Sequence, residues 1–295
     1  MSLRDLLKGT GVALVTPFKE DKSIDFDSYE KLIDFVIEGG VNYLVTLGTT
    51  GETPTLSREE KIELIKATFS IVSARVPVVV GIGGNNTASV VKDMETFPVE
   101  NAAAILSASP YYNKPSQEGI YQHYKQLAAA TAKPIILYNV PGRTGSNINA
   151  ATTIRLAKEI SNINGIKEAS GNMNQCMQII RDKPQDFLVV SGDDNLALAQ
   201  IACGMEGVIS VAANCFPKDF SSMVSSALSG DFHTARILNN ALLEGYDLLF
   251  AENNPAGVKA FLTELGIIEN NLRLPLVPLS ENYYGPLKAY LSSLK

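Results

Sequence analysis

The chain has 295 residues, 45% hydrophobic and 19% charged, a composition of soluble globular enzymes that leaves room for one large domain or two modest ones. A formal net charge of −6 argues against a nucleic-acid partner, because phosphate recognition draws on clustered Lys and Arg that are not found here. No run reaches the roughly 20 uninterrupted apolar residues of a membrane span, and residues 1–11 lack an apolar export core, so neither membrane insertion nor export is indicated and a cytoplasmic location is expected.

Short runs rich in Val, Ile and Leu predict eight strands, at residues 12–17, 43–48, 76–82, 102–107, 134–139, 163–169, 187–191 and 207–212. Amphipathic stretches between them, such as 27–38, 57–75, 116–131 and 149–160, predict helices, several opening on Ser, Thr, Asn or Asp. The strand runs are nearly continuous rather than alternating, as parallel strands covered on both faces require. Eight consecutive β-then-α units predict an α/β fold, a (β/α)8 TIM barrel, over residues 1–230. Residues 231–295 show no further strand; helices at 232–252, 255–265 and 283–294 predict a C-terminal helical extension packed on the barrel.

Cys176, Cys203 and Cys215 are an odd set without C-x-x-C spacing, which predicts buried thiols in a reducing compartment. His123 and His233 lie far apart on helix-like segments, so they are assigned to packing or surface and no metal site is expected.

In a barrel of this kind the reacting groups gather at the carboxyl ends of the strands. There the sequence places Thr16, Thr49 with Thr50, Asn85, Tyr111 with Tyr112, Tyr138 with Arg143, Lys167, Asp193 with Asp194, and Asn214. Lys167 ends an apolar run; burial disfavours the charged form of an amine, and a neutral amine forms a Schiff base with a carbonyl. On that segment alone, a strand-end lysine paired with Glu168 or Glu159 is an equal alternative.

Gly48-Thr49-Thr50-Gly51-Glu52 offers hydroxyls and unobstructed N–H groups that suit a carboxylate, or else simply cap a turn. Tyr138 is able to donate and accept a hydrogen bond, as proton transfer at a carbinolamine demands, although tyrosines in strands more often pack. The turn Pro141-Gly142-Arg143-Thr144 brings a guanidinium toward the mouth, where it suits a second carboxylate. The glycine cluster 81–84 reads as a tight turn, and Asp193 and Asp194 read as capping or loop residues because neighbouring side chains diverge.

Together, Gly48 to Glu52, Pro110-Tyr-Tyr-Asn-Lys-Pro115, Tyr138-Asn-Val-Pro-Gly-Arg-Thr144, Ile166-Lys-Glu-Ala-Ser-Gly171 and Gly207-Val-Ile-Ser-Val211 resemble the dihydrodipicolinate synthase family over residues 12–266. The resemblance implies a lyase without metal or other cofactor that condenses pyruvate with L-aspartate-4-semialdehyde, toward diaminopimelate and lysine. By motif position it implies Lys167 as the Schiff-base residue and Tyr138, Thr49 and Tyr112 as a proton relay. Thr50 would hold the pyruvate carboxylate and Arg143 that of the semialdehyde, with the backbone around Gly192 and Ile209 lining the pocket. Tyr112 would serve a neighbouring subunit, which implies a homo-oligomer, a dimer or a dimer of dimers. The effector region would comprise Tyr111, Asn85, Lys61 and Ser89. A cation at position 61 and the missing carboxylate at position 89 predict weak or absent inhibition by lysine.

Two rivals share the architecture. Related pyruvate aldolases, such as N-acetylneuraminate lyase or 2-keto-3-deoxy sugar acid aldolases, share the lysine and tyrosine, but Arg143 suits a short carboxylated aldehyde better than a polyol. A non-catalytic ligand-binding barrel would form no covalent adduct with pyruvate.

Overall fold

The computed structural model describes residues 2–294; Met1 and Lys295, which open and close the two expected ranges, lie outside the described residues. Eight parallel strands close into a barrel in sequence order: β1 Gly9–Ala13, β2 Tyr43–Thr46, β3 Val78–Gly81, β4 Ala104–Ala108, β5 Ile135–Asn139, β6 Ile163–Glu168, β7 Leu188–Ser191 and β8 Gly207–Ser210. A short α1, Leu3–Leu6, precedes them. After successive strands come α2 Phe26–Glu38, α3 Arg58–Val72, α4 Thr87–Thr96, α5 Gln117–Ala129, α6 Pro141–Thr144 with α7 Ala150–Glu159, α8 Met173–Asp182, α9 Ala197–Ala202 and α10 Pro217–Leu228. The (β/α)8 expectation holds.

The first strand begins three residues before the expected 12–17 and ends four residues earlier. Gly9, Thr10 and Gly11 look like loop sequence, yet they pair with Gly207, Val208 and Ile209 of β8. A Cβ on Gly11 would sit 2.2 Å from the Tyr43 ring, so the glycine makes space for a tyrosine that fills the barrel from β2. Helix α3 stops at Val72 rather than at 75 because Ser73 and Ala74 take left-handed backbone angles. Its start is fixed by a capping box between Ser57 and Glu60.

Strand parity sorts side chains into two layers. In β5, Ile136 and Tyr138 belong to the inner cluster with Tyr43, Val45 and Val190, whereas Ile135 and Leu137 join the outer cluster beneath the helices. In β6, Ile166 faces outward, which turns Lys167 into the barrel. Tyr138 and Lys167 are register neighbours on adjacent strands. The two residues therefore emerge side by side at one end of the cylinder.

The C-terminal segment forms α11 Phe232–Phe250, α12 Ala256–Glu264 and α13 Tyr284–Ser293. It packs on the barrel through an aromatic cluster, with the Phe216 ring edge-on to Phe261 at 5.4 Å and to Tyr290 at 5.8 Å. No described helix is long and apolar enough to cross a membrane. Cys176 and Cys215 are buried, but Cys203 is exposed just after α9, against the expectation of three buried thiols. His123 packs between helices with Nδ1 2.9 Å from Thr87 Oγ1, and burial pulls its pKa down to about 4. His233 lies exposed at the start of α11.

Candidate active site

One cavity of about 300 Å³ opens at the carboxyl ends of the strands. Thr49, Thr50, Tyr138, Arg143, Lys167 and Gly192, all marked out by the sequence, line it together. Residues from β2, β5, β6 and β7 or the loops after them thus converge on one space. A larger groove of about 700 Å³ lies at the other end, by Val76, Pro77 and Asn101, where β3 and β4 begin. It is remote from these groups, and barrel chemistry belongs to the opposite face.

Lys167 is 5% exposed, and its Nζ lies 4.4 Å from the centroid of the Tyr138 ring. It has no ion-pair partner among the described residues. Both carboxylates that could have made it an ordinary paired lysine are engaged elsewhere. Glu168 points to the helix side, where Asn139 Nδ2 and Gln175 Nε2 donate to it at 3.0 Å and the Ser170 N–H donates at 2.8 Å. Glu159 accepts from Tyr121 Oη at 2.7 Å and lies near Arg155. Gly192 gives the lysine its path: a Cβ there would lie 2.9 Å from Lys167 Cε and 2.6 Å from Ala169 Cβ.

The loop after β2 opens with a 3-10 turn, Thr49–Gly51, leaving Thr50 buried and Thr49 partly exposed. Thr16 Oγ1 donates to the Gly51 carbonyl at 2.7 Å and props the turn from the loop after β1. Gly81 makes the close approach possible, since a Cβ there would fall 2.2 Å from the Leu47 carbonyl oxygen. Glu52, the last residue of the motif, turns away from the cavity and forms a fully buried pair with Lys259 at 2.5 Å. Arg143 rides on the one-turn helix α6, opened by Pro141, and reaches the cavity from an exposed position.

Other assignments are placed differently. Ile209 sits in the inner barrel cluster, and Val211 rather than Ile209 lines the cavity. Tyr112 is 89% exposed at φ 72° and does not border the cavity of its own chain. Tyr111 and Lys61 border an adjoining pocket shared with Thr49 and Tyr138. Asn85 accepts from Asn113 Nδ2 through its carbonyl at 3.0 Å, and Ser89 is exposed on α4. Asp194 is structural as expected, accepting from the Val211 and Ala212 amides at 3.0 and 2.9 Å. Asp193 is not, because it lines the cavity.

Sequence reasoning also missed Phe250, Asn253 and Asn254, which bring the C-terminal extension to the mouth. Asn254 is buried and donates from Nδ2 to Thr50 Oγ1 at 2.9 Å. The Asn253-Asn254-Pro255 turn signal was present, but nothing local ties it to Thr50, 204 residues away. Among the described residues no group of three or more His, Cys, Asp or Glu is placed to hold a metal ion.

Residues 6–294 match the model of the dihydrodipicolinate synthetase family. The 4-hydroxy-tetrahydrodipicolinate synthase of Parabacteroides distasonis is 52% identical over 288 residues, 98% of this chain and 97% of that protein. Among solved structures, the chloride-inhibited dihydrodipicolinate synthase of Acinetobacter baumannii, complexed with pyruvate, superposes with a TM-score of 0.94 at 43% identity, covering 97% of this chain and 98% of that one. A monomeric dihydrodipicolinate synthase variant superposes with a TM-score of 0.95 at 40% identity, covering 99% and 98%. With this fold, this cavity and relatives matched end to end, the chain belongs to the dihydrodipicolinate synthetase family.

Proposed function

We propose that the protein condenses pyruvate with L-aspartate-4-semialdehyde through a Schiff base on Lys167, giving 4-hydroxy-tetrahydrodipicolinate for diaminopimelate and lysine biosynthesis. The observation that carries this reading is a buried lysine without an ion-pair partner among the described residues, in one cavity with a tyrosine, two threonines and an arginine. The curated relatives of the same length and the pyruvate complex of a structural neighbour support it.

The amine of Lys167, once it has given up its proton, attacks C2 of pyruvate, and loss of water gives the imine. Proton removal from C3 then makes an enamine, whose carbon attacks the aldehyde. The substrate amine finally displaces Lys167 and closes the ring. Thr50, held by Asn254, and the N–H groups of the turn after β2 suit the pyruvate carboxylate, which binds there without an added fixed positive charge. Tyr138 stands beside Lys167 to pass protons, with Thr49 next to it in the same cavity. Arg143 matches the carboxylate of the second substrate. Gly192 gives the lysine its path, and the backbone around Ile209 leads to Val211 at the cavity wall. No metal or organic cofactor enters these steps.

Tyr112 completes the relay in a neighbouring copy. Its left-handed backbone and near-full exposure hold the phenol out from its own barrel, where a second chain would meet it. On this reading the working form is a homodimer, or a pair of them, in the cytoplasm. Residues 231–295 then form an extension of the catalytic domain rather than a unit of their own, since they supply Asn254 to the mouth. Lys61, close to Tyr111, opposes binding of a lysine effector, so half-inhibition by lysine at sub-millimolar concentration would count against this part.

A coupled assay with pyruvate and aspartate semialdehyde tests the reaction. Turnover supports it. Cleavage of a sugar acid instead would place the chain with the other pyruvate aldolases, and absence of any trapped pyruvate adduct would make it a binding barrel.

A further inference from the structure

We infer that Asp193 holds the ammonium group of the second substrate opposite Arg143, so that the mouth reads the zwitterionic head of an α-amino aldehyde. This deepens the proposed reaction and rests on it. An α-amino acid carries an anion and a cation on the same carbon, and Arg143 answers only the first. Bringing the ammonium into the cavity without a counter-charge would leave a desolvated, unpaired cation.

Three carboxylates lie near Lys167: Glu168, Asp193 and Asp194. Glu168 faces the helices and is occupied by Asn139, Gln175 and the Ser170 amide. Asp194 is fully buried against the Val211 and Ala212 amides. Only Asp193 lines the cavity, and its Oδ2 has no hydrogen-bond donor among the described residues. Its backbone is fixed by a reciprocal pair of bonds with Ser191 Oγ, which donates to the Asp193 carbonyl and accepts from the Asp193 N–H, both at 3.0 Å. Asp193 and Arg143 come from the loops after β7 and β5, the two strands flanking β6. The opposite charges therefore stand on either side of the lysine strand.

Burial pushes the Asp193 carboxyl up to about 6; the positive charge of Lys167 and the Gly171 N–H pull it down, while Asp194 and Glu168 push it up. Such a carboxylate binds an ammonium and also accepts its proton. Ring closure needs that step. Asp193 takes one proton from the ammonium, and the freed lone pair bonds to C2 while the C2=Nζ π pair moves onto Nζ. A second proton passes from the new ring nitrogen to Nζ. The C2–Nζ bond then breaks with its electron pair leaving on Lys167, and the ring nitrogen's lone pair forms the C=N bond of a protonated ring imine.

The test compares aspartate semialdehyde with succinic semialdehyde, the same chain without the amine. In Asp193→Asn the KM for aspartate semialdehyde is expected to rise about thirtyfold or more. The inhibition constant of succinic semialdehyde should move less than about threefold, and Lys167 should still be trapped by pyruvate and borohydride. Equal weakening of both aldehydes, or no change in either, overturns the proposal. A second measurement uses the unaltered enzyme: its preference for the amine-bearing aldehyde is expected to collapse as pH falls through about 6. A preference that stays flat from pH 5 to 7 overturns it as well. If the unaltered enzyme does not turn over aspartate semialdehyde at all, the proposed reaction fails before this inference is reached.

Discussion

Glu52 and Lys259 form a fully buried ion pair, 2.5 Å apart, that locks the substrate-facing turn after β2 to the C-terminal extension. Lys259 Nζ also donates to the Asn271 carbonyl at 2.8 Å and lies 4.2 Å from the Phe18 ring centroid. Glu52 Oε2 accepts from the Arg273 N–H at 3.0 Å, and Arg273 in turn pairs with Glu60 on α3. The pair therefore connects the site to the segment that the sequence marks only as a C-terminal extension packed on the barrel. Burial pulls Lys259 down to about 8 against the opposing pull of Glu52.

Removing one member of this pair strands the other. Glu52→Gln is expected to destabilise the fold by about 3–5 kcal/mol, whereas Glu52→Gln combined with Lys259→Met should recover much of that loss. Denaturant midpoints check this. A double variant as unstable as the single one would show that the pair carries no such coupling.

Asn254 acts on pyruvate through Thr50. Asn254→Ala removes the donor to Thr50 Oγ1, and the KM for pyruvate should rise about fivefold to thirtyfold, the equivalent of roughly 1–2 kcal/mol. The KM for the semialdehyde should change far less. Equal changes in both constants would contradict the assignment.

Gly192 is required for the lysine rather than for a turn, since its φ is not in the left-handed region. Gly192→Ala places a Cβ against Lys167 Cε and Ala169 Cβ, so the rate of pyruvate trapping should fall roughly a hundredfold from the displaced amine. Circular dichroism should be unchanged. Trapping at the normal rate would show that Lys167 does not depend on this path.

His123 sets a pH dependence of stability. Its pKa is about 4 in the fold and 6.5 as the reference value, so between these values the unfolded chain binds the extra proton and stability falls as pH drops from 6.5 to 4. This contribution is fully present above pH 6.5. His123→Gln should lose less stability than the unaltered protein between pH 7 and pH 4.5, by on the order of 2–3 kcal/mol. Parallel stability curves for the two proteins would rule this out.

The barrel was legible because parallel strands covered on both faces leave continuous apolar runs. Lys167 and Tyr138 were legible because each interrupts or ends such a run on the inward parity. The early start of β1 was hidden, since Gly9 and Gly11 make sense only beside Gly207 and the Tyr43 ring. Asp193 and Asp194 could not be told apart because what separates them is the pair of amides at Val211 and Ala212. Glu52 and Asn254 depend on partners more than 200 residues away, a distance no local pattern records. Contacts between remote segments, rather than residue type, decided each of these.

The most direct test of the account is peptide mapping after borohydride reduction of the protein with pyruvate. The three-carbon label is expected on Lys167 and absent from Lys167→Ala. A label on Lys61, Lys259 or any other side chain, or none at all, would contradict it.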